Sequence, residues 1–313
     1  MPELIYRSAT ELAELIREKK ASATEILEAH LAQIAKYNPS LNAIVTLNEE
    51  NARQTASAAD AALEKGDLWG PLHGVSITIK DAFETAGLRT TSSFKPLANY
   101  IPEQDATVVA RLRQAGAIVL GKTNMPMLAL DIQSDSPLFG RANNPWNITC
   151  TPGGSTGGGA ASLAAGFSPL EIGSDLGGSV RIPAHFCGVF ALKPTDHLIS
   201  LAGHIPEPPG SPQGVRHMGM PGPLARSIDD LRLALSLIAG ADGRRWEAPP
   251  ITVTPVQKKP LNTYRIAWTD HFGGVAASQE TRAIMQKLAG DLGQAGCHVE
   301  QISPPDFDYD LAW

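Results

Sequence analysis

The segment GSDLGGSVRIPAHFCGV, residues 173–189, is the last of three unusual stretches that follow one another along the chain. GVSITIKD at residues 74–81 and PGGSTGGGAASLAAG at residues 152–166 precede it. The first stretch ends an apolar run with a lysine, and the other two place serines among glycines. Because glycines tolerate unusual backbone conformations, Ser155 and Ser179 are expected on turns.

The regions around these segments alternate between short apolar runs and helical patterns. Buried strands are predicted at residues 75–79, 117–120 and 189–192, helices at 105–114 and 227–239, and a further strand, helix and strand at 264–268, 278–292 and 298–302. Strands interleaved with helices indicate a layered α/β/α architecture around a central, largely parallel or mixed sheet.

Two helices with capping boxes are predicted at the start of the chain. Ser8 and Ser22 are each followed three residues later by glutamate, as Glu11 and Glu25, and then by helix-forming residues. A strand near residues 43–47 and an alanine-rich helix ending near residues 65–66 come next. Residues 1–66 are therefore expected to form a helical segment packed on the core, and residues 67–313 to form the core itself.

Composition excludes several classes of partner. The 313 residues carry a formal net charge of −6 without a basic cluster, which disfavours binding to nucleic acid or to an anionic membrane. No apolar run reaches the roughly 18 residues of a membrane span. Cys150, Cys187 and Cys297 show no metal-ligand spacing, so three reduced thiols in a cytoplasmic protein are expected. The N-terminus has no secretion-signal pattern.

Three short motif matches fail on their context. GAIVLGKT at residues 116–123 fits a phosphate-binding loop, but its variable positions are apolar and predict a strand. The serine and lysine at residues 92–95 resemble the start of a β-lactamase motif, yet Pro96 disfavours the required helix. GGSTG at residues 153–157 fits a nucleophile elbow, but the preceding residues, with Pro145 and Pro152, are a poor strand.

Taken together, the three segments resemble the signature segments of the amidase signature family. Further matching stretches extend the resemblance from about residue 10 to about residue 300. It implies the amidase signature fold and a hydrolase that cleaves a carboxamide, or an ester, through a seryl acyl-enzyme. The family's nucleophile falls on Ser179, its relay serine on Ser155 and its base on Lys80, with spacings similar to those in fatty-acid amide hydrolase.

The same resemblance assigns supporting roles. A lysine acts as a base only if burial lowers its pKa, which suits the position of Lys80 at the end of an apolar run. The family's cis peptide bond would join Gly154 and Ser155. Backbone amides at Leu176, Gly177 and Gly178 would form the oxyanion hole, and Ala129 would line the substrate site. Supporting positions are Thr156, Asp175 and Arg181. No metal or other cofactor is expected, because the eight histidines show no ligand spacing such as HExxH.

The sequence departs from the family pattern at several positions. Ser76 replaces a usual proline and Thr156 a usual serine, while Ala191 and His197 replace glycines common near the KPT segment. Family members also usually continue well beyond the last residue of this sequence, with a part that completes the sheet and one wall of the pocket. The 313-residue chain is therefore expected to be less stable or less active than a longer relative.

Alternatives remain open for the function. The glutaminase component of a tRNA-dependent amidotransferase uses the same triad, although Ile182 and HMGMPGP at residues 217–223 replace residues typical of those proteins. A truncated, non-catalytic homologue is a third hypothesis. Residues 127–133 indicate either an apolar acyl pocket or core packing. The expected partner is a small-molecule amide or ester, with no nucleic acid and no membrane, and a homodimer is left open.

Overall fold

The computed structural model describes residues 2–205, 215, 217–254, 256–257, 259–272 and 275–303. The chain divides into two compact units, Met1–Val253 and Thr254–Trp313. None of the helices in the described ranges is long and apolar enough to cross a bilayer.

The first unit holds eight α-helices and eight strands among its described residues. The helices are α1 Pro2–Ile5, α2 Ala9–Arg17, α3 Ala23–Leu41, α4 Glu49–Glu64, α5 Thr107–Gln114, α6 Gly157–Ala164, α7 Arg181–Cys187 and α8 Ile228–Ile238. The strands are β1 Ile44–Leu47, β2 Ser76–Lys80, β3 Ile118–Thr123, β4 Asp135–Ser136, β5 Gly140–Arg141, β6 Leu170–Asp175, β7 Phe190–Ala191 and β8 Met220–Ala225.

Six of these strands form a mixed central sheet in the order β1-β3-β2-β6-β8-β7. β2 lies in the middle and pairs in parallel with β3 on one side and β6 on the other. β1 pairs antiparallel with β3, and β8 pairs antiparallel with both β6 and β7. The predicted α/β fold with a mixed sheet is confirmed.

Both predicted capping boxes are present at the N-termini of α2 and α3. The hydroxyl of each serine, Ser8 or Ser22, accepts a hydrogen bond from the backbone N–H of the glutamate three residues later. The side chain of that glutamate in turn accepts a hydrogen bond from the backbone N–H of the serine. Carboxylates from elsewhere in the chain add to each cap. Asp230 of α8 accepts two amides at the start of α2, and Asp60 of α4 accepts two at the start of α3. Negative charge at these ends also matches the helix dipole.

The predicted strands differ in how deeply they are buried. Every residue of β2 and β3 is buried, as the apolar runs predict. β7 is only two residues long, and Phe190 is 48% exposed. The prediction of a buried strand at residues 189–192 is therefore wrong, because β7 pairs with β8 alone at the edge of the sheet.

Two strands of the sheet, β6 and β8, were not expected from the sequence. β8 contains Pro221 and Pro223, which lack an N–H and normally argue against an interior strand. The carbonyl of Pro223 accepts from Leu192 N, so the prolines face the β7 side of the ladder. Because the short β7 pairs with little of that side of β8, the absence of N–H groups at Pro221 and Pro223 costs few hydrogen bonds. The intervening residues, such as Gly222, present their N–H groups to β6.

The second unit has one α-helix and four strands among its described residues: β9 Arg265–Trp268, β10 His271–Phe272, β11 Val275–Ala276, α9 Gln279–Gln294 and β12 His298–Gln301. β9 and β12 pair in parallel, with His298 opposite Arg265, and α9 connects them. This is the strand, helix and strand that the sequence predicts at residues 264–302.

Candidate active site

Lys80 ends strand β2 in the middle of the sheet, with its side chain fully buried. Its Nζ lies 2.6 Å from Oγ of Ser155 and 3.0 Å from Oγ of Ser174. Burial disfavours the charged amine and lowers the pKa of Lys80 to about 7, although the carboxylates of Glu171 and Asp175 act in the opposite direction. The amine is therefore available in its neutral form near neutral pH.

Ser155 lies on the glycine-rich loop that precedes α6, and it is fully buried. The Gly154–Ser155 peptide bond is cis, as the resemblance implies. A Cβ at Gly154 would come within 2.6 Å of the carbonyl carbon of Ile132, so a larger side chain does not fit there. Gly157 N donates to Ser134 Oγ at 3.0 Å, which holds the loop from its other side.

Ser179 lies on the turn between β6 and α7, and the carboxylate of Asp175 holds this turn. Asp175 accepts hydrogen bonds from the amides of Gly178 and Val180 at 2.8 and 3.0 Å. It also accepts two from the guanidinium of Arg181, at 2.8 and 3.0 Å. Burial by itself raises the pKa of Asp175, but these hydrogen bonds outweigh it and keep the pKa below the usual value. Asp175 is thus an ionised anchor for the turn.

The two serine loops contact each other directly. Thr156 N donates to the carbonyl of Ser179 at 3.0 Å, and the Thr156 hydroxyl lies 3.4 Å from the carbonyl of Ser174. Ser155 and Ser179 line one pocket, in which Ser179 is half-buried. Its hydroxyl has no hydrogen-bond partner within the described part of the chain, so it is available to an incoming substrate.

The amides of the turn differ in whether they are available to an anion. The amide of Gly178 already donates to Asp175. In the described ranges, the amides of Gly177 and Ser179 have no acceptor. A Cβ at Gly177 would meet nothing within 4 Å, so that position faces open space. Leu176, which precedes them, is 46% exposed and lines the pocket.

The pocket above the serines is mostly apolar. Residues 128–130 form one wall, and Leu128 and Ala129 adopt left-handed backbone conformations, with φ of 52° and 60°. Leu130 is 77% exposed. Of the two interpretations of this stretch, pocket lining therefore fits and core packing does not. Other apolar side chains on the walls are Leu176, Leu201, Val215 and Met220.

Two polar residues near Lys80 were missed by sequence reasoning. Ser174 Oγ lies 3.0 Å from Lys80 Nζ and 2.8 Å from His204 Nε2, so it bridges the amine and the imidazole. Desolvation, and then the nearby Lys80 amine, lower the pKa of His204 to about 3, so its ring is neutral. His204 also packs against Phe83, with ring centroids 4.8 Å apart. Nothing in the proline- and glycine-rich surroundings of His204 signals this contact.

A second buried lysine, Lys122, explains the apparent phosphate-loop motif. It belongs to β3, and its amine donates to the hydroxyls of Thr85 and Thr90 at 3.0 and 2.9 Å. Its amine also lies 4.0 Å from the carboxylate of Asp81. Residues 118–123 are a fully buried strand, which confirms that the phosphate-loop interpretation fails.

A further cluster, also missed by sequence reasoning, lies outside the pocket that Ser155 and Ser179 line. Ligand-type atoms of Asp196, His197 and His217 lie within 4.8 Å of one another. The two histidines are twenty residues apart in the sequence, so no local spacing reveals them. The three cysteines, Cys150, Cys187 and Cys297, are free.

Comparison with known proteins identifies the family. A profile of the amidase family matches residues 25–312. The chain belongs to the amidase signature family. A glutamyl-tRNA(Gln) amidotransferase protein of Heliobacterium modesticaldum is 36% identical over 312 residues, which cover 99% of this chain and 63% of that protein. The chain thus spans less than two thirds of the length of this curated relative.

Solved structures of other members share the fold. Fatty acid amide hydrolase matches with a TM-score of 0.88 and 26% identity, covering 97% of this amidase signature chain and 54% of the other. The hydrolase of the 6-aminohexanoate cyclic dimer matches with a TM-score of 0.82 and 32% identity, covering 96% and 61%. Both are similar to this chain over nearly all of its length.

Proposed function

We propose that this chain hydrolyses a carboxamide C–N bond through an acyl-enzyme on Ser179. The observation that carries the proposal is the 2.6 Å contact between the Ser155 hydroxyl and the buried Lys80 amine, whose pKa is lowered to about 7. A neutral amine accepts a proton, whereas an exposed lysine at the same pH would not. The assigned roles of Lys80, Ser155 and Ser179 rest on this geometry and on the family resemblance.

The proposed reaction has two halves. Ser179 Oγ attacks the carbonyl carbon, its proton passes to Ser155, and the Ser155 proton passes to Lys80 Nζ. The amides of Gly177 and Ser179 stabilise the resulting oxyanion. The C–N bond then breaks as the proton returns from Lys80 through Ser155 to the leaving nitrogen, which departs as ammonia or an amine. Water next attacks the acyl-enzyme by the same proton route and releases a carboxylic acid and free Ser179.

We propose a substrate with an apolar acyl group. The walls formed by Leu128, Leu176, Leu201 and Met220 offer hydrophobic contacts, and Ala129 leaves room beside them. Apolar lining favours aryl or alkyl amides, and the esters of the same acids, over strongly polar ones. A panel of aryl, alkyl and amino-acid amides, assayed for ammonia or amine release, tests this substrate class. The Ser179→Ala variant serves as the blank. Release that depends on Ser179 and is fastest with apolar acyl groups is expected, and equal rates without the serine would contradict the proposal.

A second candidate function is glutamine hydrolysis within an amidotransferase. Curated relatives named as components of glutamyl-tRNA(Gln) amidotransferase favour it. The relative from Heliobacterium modesticaldum is 36% identical and that from Acidothermus cellulolyticus is 37% identical. The pocket's walls are mostly apolar, which favours the first candidate, while Arg245 on the same lining would suit a charged group. Glutaminase activity that appears only when partner proteins are added would establish the second candidate instead.

We also propose how the chain is organised and where it acts. Residues 1–66 are proposed as a helical segment packed on a core that begins at residue 67. The three free thiols support a cytoplasmic setting. Limited proteolysis tests whether residues 1–66 pack on the core, since a packed segment resists cleavage near residue 66 in the folded protein.

A further inference from the structure

Two histidines and an aspartate meet on the first unit, and none of them lines the catalytic pocket. Asp196 and His197 follow the KPT segment, and His217 lies just before β8. Nε2 of His197 lies 3.1 Å from Nδ1 of His217 and 3.4 Å from Oδ2 of Asp196. Nδ1 of His217 lies 3.8 Å from the same oxygen. Three different ligand-type atoms thus form a small triangle.

The carboxylate of this triangle is already oriented. Oδ1 of Asp196 accepts the amide of Met218 at 3.0 Å, which leaves Oδ2 directed at both imidazoles. A hydrogen bond on the second carboxylate oxygen is the arrangement that commonly fixes a metal ligand. The side chain of His217 is 77% exposed, so an ion can reach the triangle from solvent.

The backbone at His197 gives an independent argument. Its φ is +62°, a left-handed conformation that favours glycine. A non-glycine residue held there strains the backbone at a cost in stability. The side chain is therefore expected to contribute something that offsets the cost.

We propose that Asp196, His197 and His217 bind one Zn²⁺ ion. In tetrahedral zinc sites, metal–ligand bonds of about 2.0–2.1 Å place the ligand atoms about 3.3 Å apart. The three distances, 3.1, 3.4 and 3.8 Å, bracket that value. Imidazole nitrogens and a carboxylate oxygen are ligands that suit zinc, and water would complete the tetrahedron.

Zinc binding would fix one wall of the catalytic pocket. Met220 lines that pocket and lies three residues beyond His217, at the start of β8. An ion that joins His217 to Asp196 and His197 restrains the turn leading into β8. The site therefore acts on the shape of the pocket and takes no part in the chemical step.

The test measures zinc binding directly, without turnover, so its outcome is separate from that of the proposed function. The full chain is treated with a chelator, dialysed and titrated with Zn²⁺ by calorimetry, and with Co²⁺ to record the visible absorption of tetrahedral cobalt. One ion per chain is expected. His217→Ala and Asp196→Asn should weaken the affinity at least about 100-fold. His185→Ala, which removes an exposed histidine on α7, is the matched control and should bind like the original protein.

His197→Gly separates metal binding from folding. Glycine removes the ligand and also relieves the left-handed backbone, so this variant should melt at a higher temperature than the zinc-free original. Added Zn²⁺ should raise the Tm of the original protein and leave that of the variant unchanged. The proposal is overturned if the original protein takes up no stoichiometric zinc, or if His197→Gly and His217→Ala bind zinc as tightly as it does.

Discussion

Replacing Lys80 by methionine should change how the free energy of unfolding depends on pH. In the folded protein the pKa of this buried amine is about 7, against an ordinary value of 10.5. Between these two values the unfolded chain binds a proton at Lys80 that the folded protein does not. The free energy of unfolding therefore rises with pH across this window, by about 1.4 kcal/mol per pH unit. Over the whole window the contribution amounts to about 5 kcal/mol.

The methionine variant lacks this titration. It also leaves the hydroxyls of Ser155 and Ser174 without the amine that contacts them, which costs about 1–3 kcal/mol at every pH. That cost shifts the stability of the variant but does not change its slope with pH. The difference between the original protein and Lys80→Met should therefore grow by about 4 kcal/mol from pH 7 to pH 10.

Urea unfolding followed by tryptophan fluorescence at pH 7, 8, 9 and 10 measures this difference. Lys65→Met is the control, because Lys65 is exposed at the end of α4 and its removal should leave the pH dependence unchanged. A difference between the original protein and Lys80→Met that stays constant with pH would refute the reasoning. It would show that the amine stays protonated in the folded protein and is no base.

Three further predictions concern activity and the turn that holds Ser179. Because Lys80 must be neutral to accept a proton, kcat/KM should rise with pH and level off above about 7, as a pH–rate profile would show. Ser155→Ala should lower kcat about 100- to 10,000-fold with little change in KM. A smaller loss would show that Ser155 is not the proton relay. Asp175→Asn removes the charge that pairs with Arg181 and weakens the hydrogen bonds that fix the turn. It should lower the free energy of unfolding by about 1–3 kcal/mol and reduce turnover. Unchanged denaturant midpoints and rates would contradict this.

The sequence predicts the parts of the fold that depend on local pattern. The capping boxes at Ser8 and Ser22 and the buried strands β2 and β3 follow from residue type and spacing within a few positions. The three signature segments indicate which residues to examine. Their mutual approach, with Lys80 against Ser155, needs the parallel pairing of strands from distant parts of the chain.

Other features depend on tertiary context that no local pattern carries. β8 contains two prolines, and it is tolerated inside the sheet because they face the side that the short β7 barely covers. His204 reaches Ser174 across thirty residues of sequence, and His197 reaches His217 across twenty. In each case the pairing is set by where strands and turns meet, so single-residue preferences do not predict it.

The central claim is that Ser179, and not Ser155, becomes acylated. Labelling the folded protein with a fluorophosphonate and locating the adduct by peptide mass spectrometry tests this most directly, with Ser179→Ala and Ser155→Ala as matched variants. The account predicts a single adduct on Ser179, absent in Ser179→Ala and formed much more slowly in Ser155→Ala. An adduct on Ser155, or no adduct in folded protein, would contradict it.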